Sequence, residues 1–358
     1  MSGQTPTPVI NCTLYRDNPY QAMLYAPLAG RYAAIRGSVE EAVEARRRDP
    51  RALLHVHWEE HILRGHPTPA EARIAVDYFI RSLQGYRREG GRLAWTIHNG
   101  LPHEQEHMDL FLRLRAALAE MADRILVHNT EAINVLSDQV ALDRAKVFYL
   151  PHPSYLAVYE SEAELARRLP LSPGKSLLMF GKLRRYKAIE RLLEELPPER
   201  LARHGATIEI RGEPLAGDDY LPELRRRFAD RSDIIWDVRR IPDGEVPGLL
   251  RAARAVVLPY ERFLTSGVAL LCLSFGVPLI GPRTRTLEEV VPVAAQSLLF
   301  DPDAPGDLAR AVDTAFALPP EAYLALRQAC AERARHFHPH RIGRLLRQVY
   351  DELGADVL

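Results

Sequence analysis

The chain has 358 residues, of which 47% are hydrophobic and 26% charged, and its 47 Lys and Arg residues balance 47 Asp and Glu residues. This length suits two ordinary domains with sizeable cores, and the balanced charge excludes the basic footprint of a nucleic-acid-binding protein. The three cysteines, Cys12, Cys272 and Cys330, are too far apart for a disulfide framework or a zinc motif. The N-terminus lacks a secretory signal pattern and no apolar run reaches membrane-spanning length, so a cytoplasmic protein is expected.

Apolar runs typical of strands alternate with amphipathic runs typical of helices along the first part of the chain. A helix is predicted over residues 68–88, because Thr68-Pro69-Ala70-Glu71 is a typical helix start. Strands are predicted near residues 9–14, 53–57, 93–98, 125–128 and 146–150.

The second part of the chain repeats this alternation after a proline-rich break near residues 151–176, which we interpret as a domain linker. Alternating strands and helices predict parallel sheets with helices on both faces. Ligands of such sheets bind beside the carboxyl ends of the strands. The predicted strands lie near residues 176–180, 207–211, 234–238, 255–258, 277–280 and 297–300.

A basic turn follows the predicted strand at 176–180. Gly181 is followed by Lys182, Arg184, Arg185 and Lys187, and an amphipathic helix comes next. Cations between a strand end and a helix start suit the binding of a diphosphate. A solvated turn is the alternative interpretation.

A second turn, Thr265-Ser266-Gly267, separates another predicted strand from an apolar helix-like run. Gly267 allows a close approach to the backbone because it has no Cβ atom, and Ser266 can cap the helix that follows. The first N–H groups of a helix attract anions. We therefore expect a phosphate in front of this turn, with a plain helix cap as the alternative.

The histidines suggest further chemistry. His98 ends a predicted strand and could bind a sugar hydroxyl or shuttle a proton, while a structural histidine is the alternative. His152 has the same two interpretations. His103, Glu104 and His107 match the zinc-protease pattern H-E-x-x-H, but the sequence offers no convincing third ligand. A polar helix start is the alternative there.

The segment GKLRRYK, residues 181–187, resembles the glycine–basic–lysine turn of GT-B glycosyltransferases of the family-4 type. Other segments are similar, in the same order, to bacterial polysaccharide glycosyltransferases: NPYQAMLYAPLAG, HVHWEEH, AWTIHNGLPHE, YLPHPSYLAVY and VVLPYERFLTSGVALLCLSFGVPLIGP. The resemblance implies the GT-B fold. This is an α/β fold of two Rossmann-like doubly wound domains that face a central cleft, with C-terminal helices returning to the first domain.

The resemblance also implies a role for each part of the chain. Residues 1–160 are expected to bind the acceptor, residues 161–335 the donor, and residues 336–358 to form a helix that packs back on the first domain. His98 is expected to lie near the donor sugar as the catalytic residue. The acceptor is expected near Asn99, His103 and Glu104. The residues expected to bind the donor are Gly181, Arg184, Lys187, Arg240, Ile241, Glu261, Thr265, Ser266 and Gly267.

The sequence departs from the family pattern at three positions. Two family glutamates, eight positions apart, are Phe263 and Leu271 here, and Glu261 is the nearest carboxylate that could replace them. The usual glycine after the lysine of the basic turn is Ala188.

The expected reaction moves a sugar from a UDP- or GDP-sugar to a hydroxyl of a saccharide or lipid-linked acceptor. Retention of configuration is favoured, and neither a metal nor another cofactor is expected. The arginine clusters at 46–48 and 225–227 are interpreted as solvated helix faces, with a weak peripheral membrane contact as the alternative. A GT-B nucleotide-sugar epimerase and a zinc hydrolase that uses His103 and His107 are the alternative functions.

Overall fold

The structure is a computed structural model that describes residues 5–15, 18–101, 107–169, 174–260 and 263–355. The chain forms two compact units. Unit 1 comprises Met1–Pro153 and Pro339–Leu358, and unit 2 comprises Ser154–His338. Each unit contains one six-stranded sheet whose strand pairs are all parallel. The predicted α/β class with parallel sheets is confirmed.

The sheet of unit 1 has the strand order β2-β1-β3-β4-β5-β6. Its inner strands are apolar because both of their faces are covered by other parts of the unit. The strands are β1 (Thr7–Cys12), β2 (Tyr32–Arg36), β3 (Leu53–His57), β4 (Arg92–Ile97), β5 (Arg124–Val127) and β6 (Val147–Tyr149).

The sheet of unit 2 has the order β12-β11-β10-β7-β8-β9. Its core is made of buried aliphatic side chains from the strands and from the helices around them. The strands are β7 (Ser176–Phe180), β8 (Thr207–Gly212), β9 (Ile234–Val238), β10 (Ala253–Val257), β11 (Leu279–Pro282) and β12 (Leu299–Phe300).

Helices connect the strands in both units. Unit 1 contains α1 (Pro19–Tyr25), α2 (Val39–Arg48), α3 (Pro69–Arg88), α4 (Met108–Met121) and α5 (Glu131–Gln139). Unit 2 contains α6 (Glu162–Arg168), α7 (Ile189–Glu195), α8 (Pro198–His204), α9 (Tyr220–Arg227), α10 (Val246–Ala252), α11 (Gly267–Ser274), α12 (Arg285–Val290), α13 (Asp307–Ala317) and α14 (Pro320–His336). The last helix, α15 (Pro339–Ala355), belongs to unit 1. Short 3-10 helices span Ala26–Leu28, Glu59–Leu63, Arg144–Lys146, Arg185–Lys187 and Val293–Leu298.

Local sequence signals explain several element boundaries. Thr68 caps α3 in a capping box with Glu71, so the predicted helix start is confirmed. Strand β2 was not predicted from the sequence. It lies at the edge of its sheet and only Tyr32 is buried, so its side chains lack the apolar pattern of an inner strand.

Helix α15 is attached to unit 1 by polar contacts as well as by packing. Asp351 accepts a hydrogen bond from the hydroxyl of Tyr32 at 2.6 Å and forms an ion pair with Arg31 at 2.7 Å. The hydroxyl of Tyr350 lies 2.7 Å from Nδ1 of His55 in β3. The last helix therefore contacts side chains of both an edge strand and an inner strand.

Because the strands are parallel, their carboxyl ends all lie along one side of each sheet. We call this side the carboxyl edge, and it is where ligands usually bind in such folds. The residues that could bind a ligand lie at these two edges, and they are described below for each unit. Among the described helices, none has the length and apolar content needed to cross a membrane.

Candidate active site

The basic turn of unit 2 begins where β7 and β8 end in close contact. The N–H group of Gly181 donates to the carbonyl of Arg211 at 3.1 Å. A Cβ atom at Gly212 would lie only 1.7 Å from the carbonyl oxygen of Gly181. Position 212 therefore accepts only glycine, and the backbones themselves fix the spacing of the two strand ends.

Lys187 is the central cation of this turn. Its side chain is only 4% exposed, and Nζ donates to the carbonyl of Phe180 at 3.3 Å. The ammonium lies 5.2 Å from the ring centroid of Tyr260, which follows β10. A Cβ atom at Gly181 would lie 3.4 Å from Nζ. The glycine therefore leaves the space in which the buried lysine lies.

The electrostatics of the turn favour an anion. Burial, together with the positive charges of Arg184 and Lys182, lowers the pKa of Lys187 to about 7. Arg184 donates to the carbonyls of Leu183 and Glu213 at 2.9 and 3.1 Å. Within the described residues, Lys182, Arg184 and Lys187 form no ion pair with a carboxylate. A diphosphate would supply the negative charge that these cations lack.

Ala188 is the position in the basic turn where this chain departs from the family glycine. Its backbone is left-handed, with φ of 49° and ψ of 50°. This conformation costs an alanine about 1–2 kcal/mol and costs glycine little. The family glycine at this position thus has a physical reason, and this chain keeps the same turn with a strained alanine.

The N-terminus of α11 reaches the same turn. Ser266 caps the helix by accepting a hydrogen bond from the N–H group of Ala269 at 3.2 Å, as predicted. The N–H groups of Gly267 and Val268 have no partner within the helix. A Cβ atom at Gly181 would lie 3.8 Å from a methyl group of Val268, so the helix start adjoins the basic turn.

Thr265 precedes this helix start. Its Oγ1 atom is buried and has no hydrogen-bond partner among the described residues. A buried hydroxyl without a partner is uncommon, because it loses the hydrogen bond that water would give it. The structure therefore brings six predicted donor residues to one part of the sheet edge: Gly181, Arg184, Lys187, Thr265, Ser266 and Gly267.

The other predicted donor residues lie elsewhere. Arg240 and Ile241 follow β9, which is two strands away from β7 at the same edge. Arg240 is exposed, and Ile241 packs against the core of unit 2. Glu261 lies outside the described residues, as do His103 and Glu104 in unit 1.

Histidines end four neighbouring strands of unit 1. His57 is the last residue of β3, His98 and His128 directly follow β4 and β5, and His152 follows β6. Their ring centroids lie 5.1–5.4 Å from one neighbour to the next. The ring of Tyr20 contacts all four. We call these four side chains and His55 the histidine cluster.

The predicted catalytic residue His98 is enclosed by this cluster. It is 5% exposed, and its Nε2 atom lies 2.9 Å from Nδ1 of His57. Its ring stacks on Trp58 at 3.8 Å. The catalytic role of His98 stays a prediction.

All five histidines of the cluster are neutral at pH 7. Burial is the main cause, since it lowers the pKa of His55 and His152 to about 3 and that of His128 to about 4. The same cause lowers the pKa of His57 and His98 far below the usual range.

A buried ion pair lies beside the histidine cluster. Arg115 of α4 and Glu59 are both fully buried and 2.8 Å apart. The indole N–H group of Trp95 donates to the other oxygen of Glu59 at 3.2 Å. Arg115 also donates to the carbonyls of Asn99 and Gly100, which fixes the backbone after β4.

The neighbouring carboxylate, Glu60, has different surroundings. Its Oε1 atom accepts a hydrogen bond from Nδ2 of Asn99 at 2.6 Å, while its Oε2 atom is buried without a partner among the described residues. Burial and the charge of Glu59 raise the pKa of Glu60 to about 7. Glu60 was not predicted as a functional residue from the sequence. The available signal was a pair of carboxylates directly after a strand.

His107 has a structural role in the described part of the chain. It precedes α4, and its Nε2 atom lies 3.2 Å from the carbonyl oxygen of His66. Among the described residues, no group of His, Cys, Asp and Glu side chains could hold a metal ion. The zinc pattern as a whole is not described, because His103 lies outside the described ranges.

Comparisons with known proteins agree with this geometry. Residues 174–317 match the family described as "Glycosyl transferases group 1". Structures of similar fold include HepE from Anabaena in complex with UDP-glucose, with a TM-score of 0.73, 12% identity and coverage of 96% of this chain and 99% of that chain. Sucrose-phosphate synthase from Thermosynechococcus elongatus has a TM-score of 0.70, 15% identity and coverage of 98% and 100%. This chain is a glycosyltransferase of GT-B fold.

The glycosyltransferase also has curated relatives. A protein of Xanthomonas campestris pv. campestris named GDP-mannose:glycolipid 4-beta-D-mannosyltransferase is 27% identical over 269 residues, which are 75% of this chain and 71% of the relative. A second protein of that name, from another strain, is 26% identical over 283 residues. The predicted resemblance to GT-B glycosyltransferases and the predicted fold class are confirmed.

Nucleotide binding should be linked to proton uptake by Lys187. A bound diphosphate stabilises the protonated ammonium, so its pKa rises on binding and affinity falls as the pH rises above about 7. Calorimetry with a nucleoside diphosphate at pH 7.5, in buffers of different ionisation enthalpy, should show uptake of more than half a proton. Lys187→Met should abolish the uptake and weaken binding by about ten- to a hundredfold.

Lys182→Met is the matched control, because Lys182 belongs to the same turn but is exposed. It should retain the proton uptake. A binding enthalpy of the wild-type protein that does not depend on the buffer would contradict the role of Lys187.

Unit 1 should lose stability in mild acid. The pKa of each cluster histidine is lower in the folded state than in the unfolded state, so the unfolded state binds more protons below about pH 6.5. Each histidine should reduce the free energy of unfolding by up to about 1.4 kcal/mol per pH unit as the pH falls. Hydrogen exchange of unit 1 peptides between pH 7.5 and 5 measures this loss.

His128→Gln should reduce the loss of unfolding free energy per pH unit in unit 1, because it removes one titrating ring. His336→Gln should leave this loss unchanged because His336 is exposed on α14. Equal hydrogen-exchange protection factors of unit 1 at pH 7.5 and pH 5 would show that the histidine cluster does not destabilise unit 1 as the pH falls.

Proposed function

We propose that this glycosyltransferase moves a sugar from a nucleoside-diphosphate sugar to a hydroxyl group of a saccharide or lipid-linked acceptor. The observation that carries the proposal is a group of three cations beside the N-terminus of α11 that have no carboxylate partner in the described part of the chain. Such a site suits the diphosphate of a donor. Unit 2 would therefore bind the donor, and unit 1 the acceptor.

The same cations would assist the chemical step. When the bond between the sugar and the diphosphate breaks, negative charge develops on the leaving oxygen. Lys187, Arg184 and the N–H groups of Gly267 and Val268 are donors that could stabilise this charge in fixed positions. Because they supply the positive charge, we propose that the reaction needs no metal ion.

The names of the curated relatives guide the choice of substrates. Both relatives are named for GDP-mannose and a glycolipid. We propose GDP-mannose as the first donor to test and a lipid-linked saccharide as the first acceptor. UDP-sugars are the second choice, since the structure of HepE was determined with UDP-glucose.

The stereochemical course forms a separate part of the proposal. The retention expected from the sequence stays untested, and it came from a family pattern whose two glutamates are Phe263 and Leu271 here. The relatives' name specifies a β-linkage, which an α-linked donor gives only by inversion. We propose inversion for this chain. The anomeric configuration of the product, measured by NMR, distinguishes the two courses.

A donor and acceptor panel tests the proposed function. GDP-mannose and a set of UDP-sugars would each be incubated with a lipid-linked saccharide, with the free saccharide and without acceptor. We expect sugar transfer only when an acceptor is present, together with release of the nucleoside diphosphate. Conversion of the donor sugar without acceptor would favour the epimerase instead.

Transfer should also persist when EDTA is present, because the positive charge at the leaving diphosphate comes from the protein. The rate with EDTA should stay within about twofold of the untreated rate. Activity that is lost in EDTA and restored by a divalent ion would overturn the metal-independent mechanism and reopen the zinc alternative.

A further inference from the structure

The carboxyl edge of unit 1 carries a carboxylate, Glu60, whose surroundings differ from those of its neighbour Glu59. Glu60 follows β3 and is 4% exposed, yet its Oε2 atom has no hydrogen-bond partner among the described residues. A buried carboxylate oxygen without a partner is costly. Such an atom is explained when a bound molecule supplies the missing donor.

A strained turn directs Glu60 to this position. Trp58 has a left-handed backbone, with φ of 49° and ψ of 58°, which is uncommon for a bulky residue. Its ring stacks on His98 and lies edge-on to Tyr15 and Tyr20 at 4.9 and 5.5 Å. These contacts hold the turn in place, so the position of Glu60 is set by the packing around Trp58.

The two consecutive carboxylates have separate tasks. Both oxygens of Glu59 are occupied, one by Arg115 and the other by Trp95. Among the described residues, Glu60 accepts a hydrogen bond from another side chain on one oxygen only, and the donor is Asn99. Neighbouring carboxylates with such different surroundings are typical of sites where one of them accepts a proton. Glu59 therefore has a structural task, whereas the buried Oε2 atom of Glu60 has no partner among the described residues.

We propose that Glu60 is the general base that takes the proton from the acceptor hydroxyl. The inference rests on the proposed function. The acceptor O–H proton moves to Oε2 of Glu60, and the electron pair of that bond stays on the acceptor oxygen. This oxygen forms the new bond to the anomeric carbon while the bond from that carbon to the diphosphate breaks. The nucleoside diphosphate leaves with the electron pair, and Glu60 later returns its proton to water.

The surroundings of Glu60 determine when it can accept this proton. Burial and the negative charge of Glu59 raise its pKa, while hydrogen bonds from its own backbone and from Asn99, and the charge of Arg115, lower it. The balance lies near neutral pH, where a base is both deprotonated and strong enough to act. Direct attack by the hydroxyl, assisted in this way, inverts the anomeric centre.

The test combines kinetics with nucleotide binding. Glu60→Gln keeps the shape and the contact with Asn99 but removes the basic oxygen. We expect its kcat to fall by about 10²–10⁴-fold, while the Kd of a nucleoside diphosphate stays within about twofold. Glu120→Gln is the matched control, because Glu120 is an exposed carboxylate of the same unit. It should keep both values.

The pH profile of Asn99→Ala gives a second, independent measurement. Removing the hydrogen bond disfavours the carboxylate form of Glu60, so the acidic limb of kcat/KM should move to higher pH by roughly half to one unit. A residue with only a structural role would not move this limb. If Glu60→Gln proves unstable, this shift decides the question.

Three results would overturn the inference. Glu60→Gln with kcat within about threefold of wild type would exclude Glu60 as the base and leave the proposed function intact. If the acidic limb of the kcat/KM profile does not move in Asn99→Ala, this result would also exclude Glu60 as the base and leave the proposed function intact. A wild-type protein that transfers no sugar from any donor, although it is folded, would overturn the proposed function and Glu60 together.

Discussion

The buried ion pair between Arg115 and Glu59 holds the arrangement of unit 1 together. It joins the turn after β3 to helix α4, and the remaining donors of Arg115 bind the backbone after β4. Breaking such a pair leaves a buried charge without a partner, which costs about 3–5 kcal/mol. The positions of Asn99 and Glu60 therefore depend on the ion pair between Arg115 and Glu59, although neither residue belongs to that pair.

Unit 2 uses the opposite arrangement of charge. Unit 1 neutralises its buried arginine. In unit 2, by contrast, Lys182, Arg184 and Lys187 have no carboxylate partner among the described residues, and they lie next to the positive end of a helix. Mutual repulsion and burial make this arrangement unfavourable in the free protein. A ligand with two negative phosphates would relieve that repulsion, so part of its binding free energy would come from removing a repulsion that is already present in the free protein.

Much of the fold could be predicted from the sequence because parallel sheets give apolar runs separated by amphipathic helices. The start of α3 and the cap at Ser266 were also predictable, since both depend on residues within one turn of each other. Strand β2 was missed because an exposed edge strand lacks the apolar run. The burial of Lys187 could not be predicted, since it depends on packing against Tyr260, far away in the sequence.

The site of unit 1 was harder to predict for the same reason. His98 was chosen from its place after a strand, but its partner His57 comes from the neighbouring strand. In the sequence, Glu59 and Glu60 are two consecutive glutamates, and nothing distinguishes their roles. Only the contacts from Trp95, Arg115 and Asn99, which come from other elements, separate them.

The contact between Gly181 and Gly212 has a consequence for how such an enzyme can change. The spacing of the two strand ends is set by main-chain atoms alone. The side chains of the loops that follow them have no part in that spacing. Substitutions or insertions in these loops can therefore alter what the neighbouring surface recognises while the sheet stays in register. If the donor binds at this edge, as proposed above, mutation of a few loop residues would be the place to begin the directed evolution of new sugar preferences.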